Sequence, residues 1–527
     1  MKQVILFWIF LVSLNGQSQA KERPFIWVQS SEREAILEKI DEQEWANHIY
    51  QNFIEDVNKD LDSYQDNPQK FLKNMPFDRE MQQPGKIPPF RLTHNIDNGK
   101  QNNLDNATDE EMAAARKLNR YLQTGVDCGI AYFLTENEDY AQCALDILYT
   151  FIEGVTQHEP SEWRRRGGWL FPYDGFREVR MLGYKVPLIY DFIAPYIQKG
   201  GQPYDFIKQK KVHFPNDKAQ NVFRTYADIT VNYGQTGSNH PILEAPSLVY
   251  NALAMDDPDE RQKWLDYFLT ENTQNQDALN TMAEMYKEEG DIWPETSQYL
   301  NAAGSILTRL MFIVNKYDPS YHFSEKYPNI LFSLPALDYM VYPNNEIIRW
   351  GDGKRKGRPP YRSYEQAYLL GKMDKNEKVV EHFGALLKKA ILEGKYKRKG
   401  IHAVLWYPSD YEGKTEPFKL PRTDQVKHAG IFLQRNLSKT EDQADGFMCF
   451  VGGAHMVHGH AEGMNIELYG KGEVLGVDNG RGRYQQNIHE NYSRIFAAHN
   501  TVIVNGASRG DSGWVNLGIN TVQLVTM

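Results

Sequence analysis

The hydrophobic pattern of this chain changes period near residue 420, and that change limits the possible folds more than any other feature. Before it, apolar residues recur at helical spacing around 109–134, 140–152, 175–197, 218–232, 240–254, 258–272, 275–287, 298–316, 363–371 and 375–392. Turns rich in Gly, Pro, Asn and Asp separate these stretches. Ser31 and Glu34 form a capping-box pair ahead of Ile36. After residue 420 the runs are short and strand-like: Gly430 to Gln434, Phe447 to Val451, and Met464 to Tyr469, which turns through Gly470-Lys471-Gly472 into Glu473 to Val477. Thr501 to Val504 and Thr521 to Val525 follow. The expected fold is α+β and multidomain. Many short helical hairpins over 21–420 predict an incomplete (α/α) toroid rather than a bundle. Residues 421–527 predict the start of an antiparallel β-sandwich. The last strand reaches Met527, so the sandwich is expected to be truncated beside an unpaired edge.

The N-terminus sets an expected compartment. Met1-Lys2, an apolar run from Val4 to Leu14 and a polar tail to Ala20 have the layout of a signal peptide over 1–20. The run is too short to span a membrane, so the chain is expected to be exported, to a periplasm or outside the cell. A net charge of −10, from 59 basic and 69 acidic residues, argues against nucleic acid as partner. An anionic substrate would need a local basic groove. The 31 Tyr and 10 Trp are ample for a large core and for stacking on sugar rings. Cys128 and Cys143 flank a helix-hairpin turn. They can pair in an oxidising compartment, and two separate buried thiols are the favoured expectation.

Histidine supplies only 14 of 527 residues, yet His455, His458 and His460 fall within six positions. Asp478 and His499 come later. Two imidazoles and a carboxylate can hold zinc and leave room for water. On an alternating strand His458 and His460 share a face, so one can bind metal while the other faces a groove. A surface histidine cluster without metal is the alternative.

Lys427-His428-Ala429-Gly430-Ile431, His458-Gly459-His460, Glu467-Leu468-Tyr469, Val477-Asp478-Asn479-Gly480 and Ala498-His499-Asn500-Thr501-Val502 resemble the heparinase II/III-type polysaccharide lyases, which include alginate-lyase-like and heparinase II-like enzymes. Further pieces of resemblance lie upstream, at Arg23 to Val28, Glu178 to Asp191 and Glu346 to Asp352. The resemblance implies a toroid ahead of the β domain, and cleavage of a uronic-acid-containing anionic polysaccharide by β-elimination. It also implies one structural zinc ion on His460, Asp478 and His499. Elimination needs donors that neutralise the substrate carboxylate, a base for the C5 proton, and an acid for the leaving oxygen. Asn239 and His240 resemble the neutralising pair, although Asn239 ahead of His-Pro also suits a helix start. Tyr299 resembles the family's base, and His458 is the second acid/base candidate. Tyr484 is a weaker one, with Arg483 beside it for an adjacent acidic sugar.

Arg164, Arg165 and Trp169 suit carboxylates, sulfates and sugar rings, or form a solvated loop. Ala461-Glu462-Gly463 departs from the family, where an Asp often follows His-x-His, and Glu462 is the candidate to orient an imidazole in its stead. Two other classes stay open. A glycoside hydrolase would need two carboxylates across the bond, for which Asp291 and Glu295 are the available pair. A non-catalytic binder of anionic glycans would need neither. Only elimination creates a conjugated double bond, so new ultraviolet absorbance separates the first class from the others.

Overall fold

The computed structural model describes residues 21–76, 109–161, 167–172, 174–414, 420–437, 446–452, 458–460, 464–483 and 486–502. The expected signal peptide, Arg164, Arg165, Glu462, Tyr484 and the strands expected beyond residue 502 lie outside these residues.

Helices dominate the described chain up to Trp406, interrupted by a short antiparallel pair, Tyr204–Asp205 with Lys210–Lys211. The longer ones are α1 (Arg33–Glu42), α2 (Glu44–Asp66), α3 (Asp109–Thr135), α4 (Glu138–Val155), α5 (Lys185–Gln198), α6 (Asn216–Tyr233), α7 (His240–Ala254), α8 (Pro258–Leu269), α9 (Ser297–Tyr317), α10 (Tyr361–Asp374), α11 (Glu377–Leu392) and α12 (Ile401–Trp406). Side chains start several of them. Asn137 accepts from the Asp139 amide ahead of α4, Asp257 from Asp259 and Glu260 ahead of α8, and Asn376 from Val379 ahead of α11. Packing runs in series: α2 on α3, α3 on α5, α5 on α7, α7 on α9 and α9 on α10, with α12 back against α2. α4, α6, α8 and α11 form hairpins with members of that series.

Two local expectations are corrected. The capping box is Gln29 with Glu32, whose carboxylate accepts from the Gln29 amide at 2.7 Å, and Ser31 lies within the 3-10 turn Ser30–Glu32. The helix read over 275–287 shrinks to Leu279–Ala283. Thr273 Oγ1 accepts from the amides of Asn275 and Gln276, and Asn272 Oδ1 from that of Ala278, so short polar side chains take the bonds that a helix would need. Cys128 and Cys143 are buried as free thiols. The hydrogen bond with Cys128, together with burial, holds the Cys143 thiol well above its usual range.

The entry of the chain is fixed by a buried ion pair. Asp191 on α5 accepts from Arg23 Nη1 at 2.9 Å and from the amides of Phe25 and Ile26 at 3.0 and 2.8 Å. Removing it leaves Arg23 Nη1 and two buried amides without their acceptor, while Arg23 Nη2 keeps Ala254 O at 2.7 Å. Asp191→Ala should therefore cost about 3–5 kcal/mol of stability in chemical denaturation. A loss below about 1 kcal/mol would show that water reaches Arg23.

α7 and α9 run parallel. Arg261 donates to Met255 O just past the end of α7 and to Tyr317 Oη at the end of α9. Their starts, at His240 and Ser297, therefore face the same end of the helical layer. No helix among the described residues is long and apolar enough to cross a membrane.

From residue 423 a five-stranded antiparallel meander follows: β1 (Thr423–Val426), β2 (Ile431–Asn436), β3 (Phe447–Gly452), β4 (Asn465–Gly470) and β5 (Glu473–Leu475), paired in that order. Leu433 lies opposite Phe450, and Phe450 opposite Glu467. The face turned to the helices carries Ile431, Leu433, Met448, Phe450 and Tyr469, with Asn465 and Glu467 among them. Aromatic rings join the two parts: Trp350 stacks on Phe450 at 5.8 Å and Tyr342 on Tyr469 at 5.4 Å. Glu467 is the polar centre of the junction. It accepts from Arg355 Nη1 at 2.8 Å, from Tyr342 Oη at 3.1 Å, and from the amides of Arg349 and Asp478 at 3.2 and 2.9 Å. A fully buried carboxylate needs this many donors.

Candidate active site

The start of α9 and the loop before it meet a segment from the sheet region. Trp350 Nε1 donates to Glu295 O at 2.8 Å and fixes the loop before α9. Glu295 is fully buried, and its Oε2 lies 2.6 Å from His458 Nδ1. A carboxylate there holds the proton on Nδ1 and leaves the Nε2 lone pair facing away. Tyr299, in the first turn of α9, lies against the same imidazole, with ring centroids 3.9 Å apart and planes 20° from parallel. Asp352 donates its amide to His458 O at 3.1 Å. A helix start, the loop before it and a segment from the sheet region are thus joined through one imidazole.

Asn239 and His240 open α7. Asn239 is 2% exposed, yet neither its amide nitrogen nor its amide oxygen has a hydrogen-bond partner among the described residues. Such a group is costly unless a ligand completes it. The side chain does not cap the helix: Ser238 Oγ accepts from the His240 amide instead. Arg180 Nη2 lies 2.8 Å from His240 Nδ1 and 2.6 Å from Glu244 Oε1. Glu244 Oε1 is also 3.3 Å from His240 Nδ1, and two acceptors cannot share that contact as neutral partners. The shorter bond decides. Arginine can only donate, so Nδ1 accepts and the N–H of His240 is on Nε2. Two amide-type donors, Asn239 Nδ2 and His240 Nε2–H, therefore stand side by side on one helix start, which itself favours anions.

The other expected residues fall as follows. Trp169 is buried at 2% exposure, donates Nε1–H to His158 O at 2.8 Å and packs edge-on against Tyr226, so its faces are spent inside the protein rather than on a sugar. Arg483 is exposed. Asp291 and Glu295, the pair available to a hydrolase, are each engaged by an imidazole. Asp291 lies 3.0 Å from His428 Nδ1, and Glu295 is on His458.

His460, Asp478 and His499 are all buried, with the rings of His460 and His499 5.3 Å apart. Among the described residues, the group whose ligand atoms all lie within 4.8 Å of one another is Asp352, His460 and His489. Asp478 Oδ2 accepts from His499 Nδ1 at 2.7 Å and Asn465 Nδ2 at 2.9 Å, and Oδ1 from the Gly480 amide at 2.6 Å. Burial pushes the Asp478 carboxyl up, but the bond and charge of His499, the Gly480 amide and the charge of His460 together outweigh it, leaving a net shift below its usual range. Burial also holds the His460 imidazole below its usual value, against the pull of Asp352. Gly480 takes φ +62°, and a side chain there would strike Arg349 at 2.9 Å, so only glycine passes this turn freely. Three residues that the sequence reading did not place in these roles complete the region: Glu295 on His458, Asp352 on His460 at 2.9 Å, and the buried His489.

Comparison with known proteins gives matches over parts of the chain. The model of the "Endo-acting ulvan lyase 2nd domain" matches residues 289–430, and that of the "Heparinase II/III-like, C-terminal" domain matches 421–518. An endo-acting ulvan lyase from Formosa agariphila is 28% identical over 524 residues, 94% of this chain and 59% of that protein. The chain thus spans about three fifths of the length of this curated relative. Among solved structures, a heparinase III is similar at 15% identity and TM-score 0.46, over 91% of this chain and 71% of that one. A mutant of the heparan sulfate lyase HepC from Pedobacter heparinus is similar at 12% identity and TM-score 0.44, over 89% and 67%. Over the two stretches 289–430 and 421–518 the chain is similar to the heparinase II/III-type polysaccharide lyases.

Proposed function

We propose that this protein is an exported polysaccharide lyase that cleaves a uronate-containing anionic polysaccharide by β-elimination, with ulvan as the first polymer to test. The observation that carries this reading is the Tyr299–His458 stack, held by Glu295 and set at the same end of the helices as Asn239 and His240. The ulvan assignment rests on the name of the relative that is 28% identical.

In this reading the substrate carboxylate lies on Asn239 Nδ2 and His240 Nε2–H. Those donors stabilise the charge that grows as the C5 proton leaves. Tyr299 takes that proton, the C4–O bond breaks as the C4–C5 double bond forms, and Tyr299 returns a proton to the leaving oxygen. His458, its tautomer fixed by Glu295, orders the phenol and offers Nε2 to a sugar hydroxyl. A zinc ion, if held by His460, Asp478 and His499, would have a structural role and no part in these steps.

The finer architecture belongs to the same proposal. The serial packing of α2, α3, α5, α7, α9 and α10 supports an incomplete toroid over 21–420. The outward face of the sheet carries exposed Phe447, Ile466 and Leu475, which a second sheet would cover to make a sandwich. The hydrolase alternative loses support from the imidazoles on both Asp291 and Glu295.

The test is a screen of ulvan, alginate, heparin and chondroitin, read by ultraviolet absorbance of the unsaturated product. Absorbance with ulvan above the others is expected. Reducing ends released without absorbance would replace the lyase reading by a hydrolase. Binding without any cleavage would leave a glycan-binding protein.

A further inference from the structure

A cleft apart from the candidate active site lies between the helical hairpin of α10 and α11 and the first strands of the sheet. Its volume is about 1020 Å³. Pockets for small ligands hold about 300–1,000 Å³, so this one has room for several sugar units. Tyr361 and Lys389 reach it from the two helices, Lys356 and Arg358 from the loop before α10, and Leu437 from just past β2. Asn239, His240, Glu295, Tyr299 and His458 are all absent from its walls. Tyr342 links it to the sheet junction, because it lines the cleft and donates to Glu467.

The chain as a whole is acidic, with 69 acidic against 59 basic residues, but the cleft reverses that balance. Its walls set Lys356, Arg358, Lys389 and Lys395 against Asp338 and Glu393. Glu393 is taken by Lys395 at 2.7 Å and by Lys389 at 3.8 Å. Asp338 accepts from Tyr364 Oη at 2.9 Å, and burial raises its carboxyl to about 6. Lys356 and Arg358 are exposed and form no ion pair among the described residues. Their loop is fixed. The Ile347 amide donates to Arg355 O at 2.9 Å, Arg355 is bound to Glu467, and a side chain at Gly357 would run into Ile347. Two cations without partners are therefore held in place on either side of Gly357. Beside them stands the half-buried ring of Tyr361, backed by Tyr396 at 5.1 Å and 29° from parallel. An acidic sugar carries anionic groups and apolar C–H faces on one molecule, which is the combination these walls offer.

We propose that this cleft is a second glycan-binding site, in which Lys356 and Arg358 hold carboxylate or sulfate groups of the polymer and Tyr361 carries a sugar ring. The polymer class rests on the lyase reading above, and the site itself does not involve Tyr299. A long chain held there would stay at high local concentration near the bond to be cut.

The full chain and its Lys356→Ala/Arg358→Ala variant should be compared on intact ulvan and on its short oligosaccharides. Both side chains are exposed, so the variant should fold. On intact polymer KM should rise about tenfold or more, as expected for lost charge-assisted hydrogen bonds, with kcat unchanged. On oligosaccharides too short to reach both sites, KM should stay the same. Equal KM on intact polymer would overturn the proposal. Direct binding tests it without turnover. In a Tyr299→Phe background, oligosaccharides of ulvan, alginate, heparin and chondroitin are titrated by calorimetry. One of them should occupy a second site that the Lys356→Ala/Arg358→Ala variant lacks and that Tyr361→Ala weakens. Displacement by an equal concentration of inorganic sulfate would reduce the cleft to an ion site and reject it as a glycan site. Failure of the lyase reading would appear as no turnover with cleft binding retained. Failure of this inference would appear as turnover with identical binding in both proteins.

Discussion

Tyr299→Phe should abolish elimination while leaving binding of the polymer nearly intact. Phe keeps the ring that lies 3.9 Å from the His458 imidazole and removes only the hydroxyl that exchanges the proton. Groups in this role contribute about 10²–10⁴-fold to rate. The loss should appear in kcat, with KM or equilibrium binding changed by only a fewfold, because the phenol acts in the transition state and not on the bound ground state. A variant within a fewfold of wild type would remove Tyr299 as the base and move that role to His458.

Glu295→Gln should lower kcat by about 10²-fold or more. The carboxylate is fully buried, 2.6 Å from His458 Nδ1, and can only accept. Glutamine fills the same space, but its NH2 can turn toward Nδ1 and force the other tautomer, which puts a proton on the Nε2 that the site needs free. A purely structural role predicts a different pattern, with lowered thermal stability and an unchanged kcat in the folded fraction. Measuring kcat and the melting temperature together therefore decides between them. An unchanged kcat would take His458 out of the chemistry.

The order of helices and strands was legible because each element obeys one period. The spacing predicts a helix over 240–254, which α7 spans, and a strand over 464–469, which is Asn465–Gly470. Helix α2 was passed over, although Trp45, Ile49, Phe53, Val57 and Leu61 recur every four residues. Asn and Asp between them lower the apolar content, and most of its stability comes from packing on α3, α1 and α12. On β4 alternation was visible, but not which face turns inward. The polar residues Asn465 and Glu467 are buried and Ile466 is exposed, because Arg355, Tyr342 and two amides converge on Glu467. No local pattern carries that information. The same holds for Glu295, Asp352 and His489, whose partners lie between 29 and 163 residues away in the chain, at His458 and His460. The histidine motif pointed to the right neighbourhood, and only the fold supplied its carboxylates.

The junction built on Glu467 bears on how such an enzyme could be recombined. Composition puts a seam near residue 420, but Arg355 and Tyr342 lie before it and their shared carboxylate after it. Glu295 and Asp352 are likewise separated by that seam from the imidazoles they hold. A chimaera spliced at the seam would inherit half of each pair and leave a buried guanidinium facing a foreign sheet. The stretch from 289 to 430 that matches a domain of its own already carries the helical-side partners as a block. Exchange of that block together with the sheet that follows is the unit in which specificity could pass from one lyase to another.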